Sequence, residues 1–417
     1  MLTKEDGKEF LENLLGMVKW IVFAGITGTI VGLVGVVFGT CMTAATQYRG
    51  DHDWVIFLLP LGGVLIIGLY HLFRVEKPRG TNLVLAAIHA EEEIPIYMAP
   101  LIFVATVVTH FVGGSAGREG AALQLGGSIG NQLGKWFRFD DRDKRVVVMC
   151  GMSAAFSALF GTPLAAAIFP MEVVSVGIMH YAALVPCVFA SIVSSRIALA
   201  FGMHGEAFPV MNVPEFSAGN LAWILLLAVL CAVISILFCL MLHEAGSLAQ
   251  KLFSNPYLRA AAGGAVILAV TLVLGTRDYM GAGIPVIERA MEGDVRPEAF
   301  FLKMILTAIT LGCGFKGGEI VPSFFVGATF GALFGQLTGM PMALCAACGM
   351  ASVFCGVTNC PISTLFISFE MFGFEGMLYY AVAVSISYMA SGYYGLYHDQ
   401  KIMYSKVKTE YINRRTK

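Results

Sequence analysis

The chain has 417 residues, of which 57% are hydrophobic and only 13% are charged, and its mean hydropathy is +0.75. Soluble domains carry about 25% charged residues, so this composition predicts a polytopic membrane protein, all-α in fold, in the lipid bilayer. The formal net charge of -1 excludes the basic surface that a nucleic-acid-binding protein needs. We expect no nucleic-acid partner.

Both ends of the chain favour the cytoplasmic side. The start, MLTKEDGKEFLENLLG, has mixed charge and no cleavable signal pattern, so we expect an amphipathic lead-in that stays in the mature protein. The end, KVKTEYINRRTK, carries an excess of lysine and arginine, which is typical of cytoplasmic segments. The prediction is a multi-pass plasma-membrane protein with both termini in the cytoplasm.

Apolar segments long enough to cross a bilayer, which takes roughly 20 residues, alternate with shorter ones. The longer segments lie at about 19–39, 54–73, 97–112, 180–202, 220–242, 259–275 and 375–394. The shorter ones, near 121–135, 146–159, 163–178, 322–337, 341–354 and 361–373, are interrupted by glycine or proline. Broken helices are tolerated only where protein or a water-filled path surrounds their ends, so the pattern indicates a transport pathway.

The second half of the chain repeats the first. VMCGMSAAF at 148–156 matches AACGMASVF at 346–354, and the stretch ending at Glu172 matches the one ending at Glu370 with the same offset. A glycine trio at 126, 130 and 134 matches one at 327, 331 and 335 after a shift of three residues. Glycine at every fourth position lets membrane helices pack closely, so both copies are predicted to hold such a helix pair.

This duplication predicts one transmembrane transport domain over residues 1–417. We place repeat 1 at about 20–202 and repeat 2 at about 220–395, followed by a last helix and cytoplasmic tail at 396–417. Glu172 and Glu370 hold equivalent places in the repeats, and we interpret them as structural residues that accept hydrogen bonds from nearby backbone N–H groups. His110, inside an apolar run, is interpreted as a residue that hydrogen-bonds between helices.

An acid and a base, Glu119 and Arg118, stand together in the glycine-rich stretch from Gly113 to Gly134. The glycines before Glu119 free the backbone and the residues after it favour a helix, which predicts Glu119 at a helix start. Unpaired N–H groups and the positive end of the helix dipole there attract this carboxylate or a free anion. A charge at membrane depth costs about 2.5 to 3.5 kcal/mol, so we favour a functional role over a simple cap paired with Arg118.

The second copy has a comparable glycine-rich lead into a helix, GFKGGEIVP from Gly314 to Pro322. In parallel copies, both helix starts would point to the same face of the membrane. In inverted copies they converge near the midplane and build one anion site from both halves. We predict inversion.

These motifs resemble those of the CLC chloride channels and transporters. GREGA followed by QLGGSIG resembles that family's GREGP and QIGGNIG segment, GGEIVP resembles its GxFxP segment, and PLAAAIFPMEV resembles its PLAGxxFxxEE helix. The similarity runs from about residue 20 to about 410. It implies two inverted repeats of tilted and broken helices, assembled as a homodimer with a separate pathway in each subunit.

The resemblance also implies roles for particular residues. Glu119 falls on the family's gating glutamate, and here it would act as gate and proton carrier. Two backbone turns, near residue 80 and near residue 319, fall on anion-binding segments. The implied anion-binding residues are Gly80, Thr81, Asn82, Arg118, Gly120, Gly318, Ile320 and Val321.

Three departures from the family pattern refine the expectation. GTNLV at 80–84 stands where chloride-selective members carry GSGIP, and Glu319 adds an acid to the second anion turn; both look like the fluoride/proton antiporter branch. Val173 stands where proton-coupled exchangers often carry a second glutamate, so coupling would depend on Glu119 and Glu319.

The segment KIMYSK at 401–406 resembles the family's last helix, which makes Tyr404 the first candidate for a hydroxyl facing the anion and Tyr397 the second.

We therefore expect a secondary active transporter that exports fluoride in exchange for protons. An arriving anion would displace Glu119, which would take up a proton, and a protonated Glu319 would donate to dehydrated fluoride. A chloride/proton exchanger and a passive anion channel of the same family remain open. An intramembrane enzyme is not expected, because the chain offers neither a nucleophile with its base nor an HExxH motif, and no metal or cofactor is expected.

Overall fold

A computed structural model describes residues 4–75, 78–89 and 92–417. The first half of the chain contains α1 (Lys4–Asp51), α2 (Leu59–Leu72), α3 (Thr81–Ile88), α4 (Met98–Val112), α5 (Glu119–Trp136), α6 (Asp141–Phe160), α7 (Pro163–Val173) and α8 (Leu184–Ala200). The second half contains α9 (Ala218–Leu252), α10 (Pro256–Leu274), α11 (Ile284–Glu292), α12 (Ala299–Gly312), α13 (Ile320–Thr338), α14 (Met342–Thr358), α15 (Pro361–Phe372) and α16 (Met377–Ala390). Short 3-10 helices, Asp53–Leu58 and Tyr181–Ala183, precede α2 and α8.

The helices agree with the predicted membrane protein. Within the described residues, six helical segments are long and apolar enough to cross a bilayer, among them α1, α9, α10 and α13. Large apolar side chains on the outer faces are exposed, such as Leu237 and Val273, as expected where lipid replaces water. The shorter apolar segments form α5, α6, α7, α14 and α15, as predicted. Three assignments by length were wrong, because α13 is long enough to cross a bilayer whereas α4 and α16 are shorter. Three helices, α3, α11 and α12, were not predicted.

Each half contains one closely packed helix pair, α5 with α6 and α13 with α14. The glycine trios lie in these contacts. A Cβ atom on Gly126 would lie 2.1 Å from the carbonyl oxygen of Gly151, and one on Gly331 would lie 2.1 Å from the carbonyl oxygen of Cys345. Only glycine allows so close an approach, which confirms the interpretation of the trios.

The two halves meet in an inverted arrangement. Gly117, just before α5, and Gly318, just before α13, form an antiparallel bridge in which each N–H donates to the other's carbonyl at 2.7 Å. Equivalent residues that pair in antiparallel fashion require opposite chain directions. This confirms the predicted inverted repeats.

The tail is not the predicted last helix. Residues beyond α16 form β2 (Lys401–Tyr404) and β3 (Tyr411–Arg415), which pair antiparallel, and β2 also pairs in parallel with β1 (Ser175–Val176), just after α7. Ile402 is fully buried between more exposed neighbours. This alternation is the period of a strand. The pairing of β2 with the backbone of β1, just after α7, favours a strand over the expected helix.

Candidate anion pathway

The starts of three helices, α3, α5 and α13, lie against one another. Gly80 precedes α3 with a φ of +58°, a conformation that favours glycine, and Thr81 donates its hydroxyl to the carbonyl of Gly120 at 3.1 Å. Gly120, in the first turn of α5, in turn faces Glu319, whose Oε2 lies 3.0 Å from where a Cβ on Gly120 would be. Three helix starts bring unpaired N–H groups and positive dipole ends together, which favours a bound anion.

Glu119 is the first residue of α5, as predicted, and its side chain is only 3% exposed. The carboxylate turns back onto the preceding residue. Its Oε2 accepts from the backbone N–H of Arg118 at 2.9 Å, and its Oε1 accepts from the Arg118 Nε at 3.3 Å. Glu119 therefore occupies the positive end of its own helix, where a free anion would compete with it.

Glu319 is the structural counterpart of Arg118. Each residue follows the bridged glycine and precedes the first residue of its helix, and their backbone angles are similar (φ −110°, ψ −18° for Arg118; φ −95°, ψ −14° for Glu319). The pseudo-symmetry thus pairs a base in one half with an acid in the other. The counterpart of Glu119 is the buried Ile320.

Two cavities approach the bridge. Cavity 1, of about 810 Å³, is lined by residues that include Asn82, Lys316, Glu319 and His398. Cavity 2, of about 360 Å³, is lined by Arg49, His110, Arg118, Glu206 and Arg277 among others. Helices that are equivalent in the two repeats end at different cavities: α1 and α4 reach cavity 2, whereas α9 and α12 reach cavity 1. The bridge between Gly117 and Gly318 therefore lies between two cavities, one on each side of the inverted fold.

Of the two candidate tyrosines, the structure brings Tyr397 to this region. Its neighbours Leu396 and His398 line cavity 1, it interacts electrostatically with Glu319, and its hydroxyl is buried with no hydrogen-bond partner among the described residues. Tyr404, the first candidate, lies in β2 with 45% of its surface exposed and its ring against Tyr411. The strand in the tail, where a helix was predicted, leaves Tyr404 exposed, so Tyr397 becomes the preferred candidate. Its contact with the anion stays a prediction.

The other predicted anion-site residues lie near the helix starts. Asn82 lines cavity 1, and its Oδ1 accepts from the backbone N–H of Asp399 at 3.0 Å. With that oxygen engaged, the amide group of Asn82 has two N–H donors to offer an anion. Ile320 and Val321 are buried in the first turn of α13.

Glu172 and Glu370 cap helices of the opposite halves. Glu172, near the end of α7, accepts from the N–H groups of Ile362 (3.0 Å) and Ser363 (2.8 Å) at the start of α15. Glu370, near the end of α15, accepts from the N–H groups of Leu164 and Ala165 at the start of α7, both at 2.9 Å. The structural interpretation of both glutamates is confirmed.

His110 hydrogen-bonds within its own helix. Its Nδ1 lies 3.1 Å from the carbonyl of Thr106, one turn earlier in α4, and its backbone carbonyl accepts from Arg49. The predicted contact between helices is therefore made by the backbone of His110 and the Arg49 side chain of α1.

Several charged residues near the site were not predicted, and Lys303 and Glu206 illustrate two kinds of case. Lys303, fully buried in α12, donates to the carbonyls of Tyr279 (3.1 Å) and Gly281 (2.6 Å). A lysine within the apolar run AFFLKMIL was a visible signal. Glu206 lies in the polar loop between α8 and α9 and contacts Arg118 at 3.2 Å. Nothing in the local sequence distinguishes it from other loop acids.

Comparison with known proteins identifies the family. The sequence profile described as voltage gated chloride channel matches residues 62–392. The chain belongs to this family. A protein of Pseudomonas syringae pv. tomato named chloride/fluoride channel protein is 36% identical over 412 residues, which cover 97% of this chain and 91% of the relative. The H(+)/Cl(-) exchange transporter ClcA of Citrobacter koseri is 25% identical over 84% of this chain and 80% of its own length.

Solved structures of the voltage gated chloride channel family share this fold. The crystal structure of a CLC-type fluoride/proton antiporter matches with a TM-score of 0.89 and 30% identity, covering 92% of this chain and 98% of the other. A slow cyanobacterial Cl-/H+ antiporter matches with a TM-score of 0.76 and 19% identity, covering 89% and 94%. The chain is thus a multi-pass membrane protein and an anion transporter of the CLC type.

Proposed function

We propose that this protein exchanges fluoride for protons across the plasma membrane and thereby exports fluoride. One observation carries the proposal: three helix starts converge on Glu119 and Glu319 at a bridge that separates two cavities. The names of the relative from Pseudomonas syringae and of the antiporter structure support fluoride as the anion.

Cavity 1 would receive the anion on the cytoplasmic side. Arg49, in the last turn of α1, lines cavity 2, so a cytoplasmic N-terminus leaves cavity 1 facing the cytoplasm. β2 and β3 follow Leu396 and His398 of cavity 1, which supports a C-terminus on the same side as this cavity. Lys316 in this cavity supplies a cation that attracts anions toward Glu319 and the helix starts.

Glu119 would couple the two ions. A fluoride ion that reaches the N–H groups of α5 and α13 repels the Glu119 carboxylate, and protonation removes that repulsion. The neutral side chain then leaves the helix start and carries its proton, while the anion takes its place. Return of the ionised side chain expels the anion toward the opposite cavity. Each cycle moves fluoride and a proton in opposite directions.

Glu319 would contribute as a protonated donor. A carboxylate at the start of α13 repels a transported anion, whereas the protonated acid donates an O–H bond to it. Fluoride is small and strongly hydrated, so short donors of this kind offset its loss of water. The two N–H donors of Asn82 would assist from cavity 1, and the unpartnered, buried hydroxyl of Tyr397, between two residues that line this cavity, would be a further donor.

Transport from loaded vesicles tests the proposal. The purified protein is reconstituted, efflux of fluoride or chloride is followed with ion-selective electrodes, and proton uptake is recorded in parallel. We expect fluoride efflux to be at least about tenfold faster than chloride efflux, which corresponds to about 1.4 kcal/mol. A fluoride gradient should drive protons against their own gradient.

The Glu119→Gln variant tests the coupling residue. The amide keeps the shape of the side chain but neither ionises nor carries a proton, so anion-driven proton uptake should be lost. Glu215→Gln, an exposed acid in the loop before α9, is the matched control and should transport normally. Undiminished coupling in Glu119→Gln would remove Glu119 from the mechanism, and equal fluoride and chloride efflux would favour a chloride/proton exchanger.

A further inference from the structure

The loop between α8 and α9 brings a second carboxylate to the arginine that holds Glu119. Nη2 of Arg118 lies 3.2 Å from Oε1 of Glu206, while Nε of the same guanidinium lies 3.3 Å from Oε1 of Glu119. Arg118 therefore bridges the two acids. Glu119 is 3% exposed, whereas Glu206 is 27% exposed and lines cavity 2. Through Arg118, the buried Glu119 is connected to Glu206, which solvent reaches.

The position of Glu206 is fixed by its backbone. Its neighbour Gly205 packs so closely on the end of α6 that an added Cβ would lie 2.3 Å from the carbonyl of Phe160. Phe208, two residues after Glu206, donates its N–H to the carbonyl of Met371 at 2.8 Å. These anchors on both sides of Glu206 fix its backbone within reach of Arg118.

Most other charged groups around cavity 2 have partners of their own. Arg49 donates to the carbonyl of His110, Arg277 pairs with Asp53 at 2.8 Å, and Asp278 pairs with Arg289 at 2.8 Å. Burial raises the pKa of Glu206 above its ordinary value; the Arg118 guanidinium opposes this effect and the charge of Glu288 adds to it. Glu206 therefore holds its proton more readily than an exposed glutamate does. The titratable and charged groups that face it are Arg118, Glu119 and Glu288, with Arg49, His110, Arg277 and Asp278 elsewhere around the cavity.

We propose that Glu206 is a positioning residue that shares the Arg118 guanidinium with Glu119 and sets the pH range in which Glu119 is released. The inference rests on the proposed function, because it assumes that release and protonation of Glu119 drive exchange. With Glu206 ionised, the charge of Arg118 is divided between two carboxylates. With Glu206 neutral, the guanidinium acts on Glu119 alone and holds it more firmly as the carboxylate.

The Glu206→Gln variant tests this assignment, because it makes the neutral state permanent. Fluoride-driven proton uptake into vesicles is measured from about pH 4.5 to 8, and the midpoint of the pH profile is compared with that of the wild-type protein. Since Arg118 then stabilises only ionised Glu119, a lower pH is needed to protonate Glu119. We expect the midpoint to move about half to one pH unit toward acid, a shift reduced from the full charge-pair range because Glu206 is partly exposed.

Glu215→Gln again serves as the control, since it removes an exposed acid from the same loop. Its midpoint should coincide with that of the wild type. Size-exclusion chromatography checks that each variant is folded, and if Glu206→Gln aggregates, Glu206→Ala, which also removes the charge, is measured in its place. A midpoint that stays with the control, or moves toward alkali, overturns the proposal.

Failure of this inference can be told apart from failure of the proposed function. If Glu119→Gln loses coupling while removal of the Glu206 charge leaves the pH profile unchanged, exchange through Glu119 stands and only the role of Glu206 is wrong. If Glu119→Gln retains coupling, the mechanism on which both depend is wrong.

Discussion

Removal of the Glu172 side chain should destabilise the protein more than removal of its counterpart, Glu370. Glu172 is 8% exposed and accepts three hydrogen bonds, from two N–H groups at the start of α15 and from the Ser363 hydroxyl at 2.6 Å. Glu370 accepts two, and one of its donors belongs to Leu164, which is 47% exposed. Ile362 is 42% exposed, much as Leu164 is, so solvent can replace the carboxylate at one backbone donor in each half. The buried N–H and hydroxyl of Ser363 have no such access, and they make the difference between the two glutamates.

The loss can be estimated from the groups left without partners. In Glu172→Ala, the buried N–H of Ser363 loses its acceptor, which costs about 1 to 3 kcal/mol. Loss of the bond from the Ser363 hydroxyl adds about 1 kcal/mol, so the total should be about 2 to 4 kcal/mol. In Glu370→Ala, only the buried N–H of Ala165 is left without an acceptor, which lowers the free energy of unfolding by about 1 to 3 kcal/mol. The entropy of unfolding grows with chain length, so each kcal/mol corresponds to about 1 °C for a chain of this size. The fall in Tm should therefore be roughly 2 to 4 °C for Glu172→Ala and roughly 1 to 3 °C for Glu370→Ala.

The cysteines of the protein can report unfolding in this measurement. All ten cysteines are free and all but Cys41 are buried, so a thiol-reactive fluorophore reports unfolding during a temperature ramp in detergent. Glu215→Ala is the control for loss of an acid at an exposed position. A Glu172→Ala variant that melts within about 1 °C of the wild type, or one that is more stable than Glu370→Ala, would refute the assignment of these glutamates as helix caps.

Three further predictions concern the anion site and its scaffold. Glu319→Ala should lose most fluoride transport, whereas Glu319→Gln, which keeps a donor of similar size, should retain part of it; wild-type rates in both from pH 5 to 7.5 would exclude the donor role. Tyr397→Phe should weaken fluoride binding about five- to tenfold, the worth of one hydrogen bond, while Tyr404→Phe should bind as the wild type does; isothermal titration compares them, and the reverse order would restore Tyr404. Gly331→Ala should lower Tm by several degrees in the thiol assay, because its Cβ would lie 2.1 Å from the carbonyl oxygen of Cys345; an unchanged Tm would mean that α13 and α14 can separate at little cost.

Features that depend on local pattern or on the duplication were predictable from the sequence. Glycines followed by a helix-forming run place Glu119 at a helix start whatever the rest of the fold does. The duplication predicts that Glu172 and Glu370 have matching roles, because equivalent residues of two repeats occupy equivalent places in the fold. The glycine trios likewise predict closely packed helices, since their spacing leaves one face of each helix without side chains.

Features that depend on how distant segments dock were not predictable. Tyr397 and Tyr404 are seven residues apart in an irregular tail, and only the pairing of β2 with β1 determines which of them is buried. The contact of Glu206 with Arg118 joins residues 88 positions apart through a loop with no motif. The equivalence of Arg118 and Glu319, by contrast, already follows from the offset between the two glycine trios, and the bridge between Gly117 and Gly318 agrees with it.

The bridge between Gly117 and Gly318 also bears on how the protein would respond to voltage. A membrane potential falls mainly across material that water does not reach, and cavities 1 and 2 bring water toward the bridge from both sides. The electric field is then concentrated over a short distance around two peptide groups and the side chain of Glu119. Moving one charge through 100 mV involves about 2.3 kcal/mol of work. Under the proposed mechanism, a side-chain movement of a few ångströms would carry much of that work.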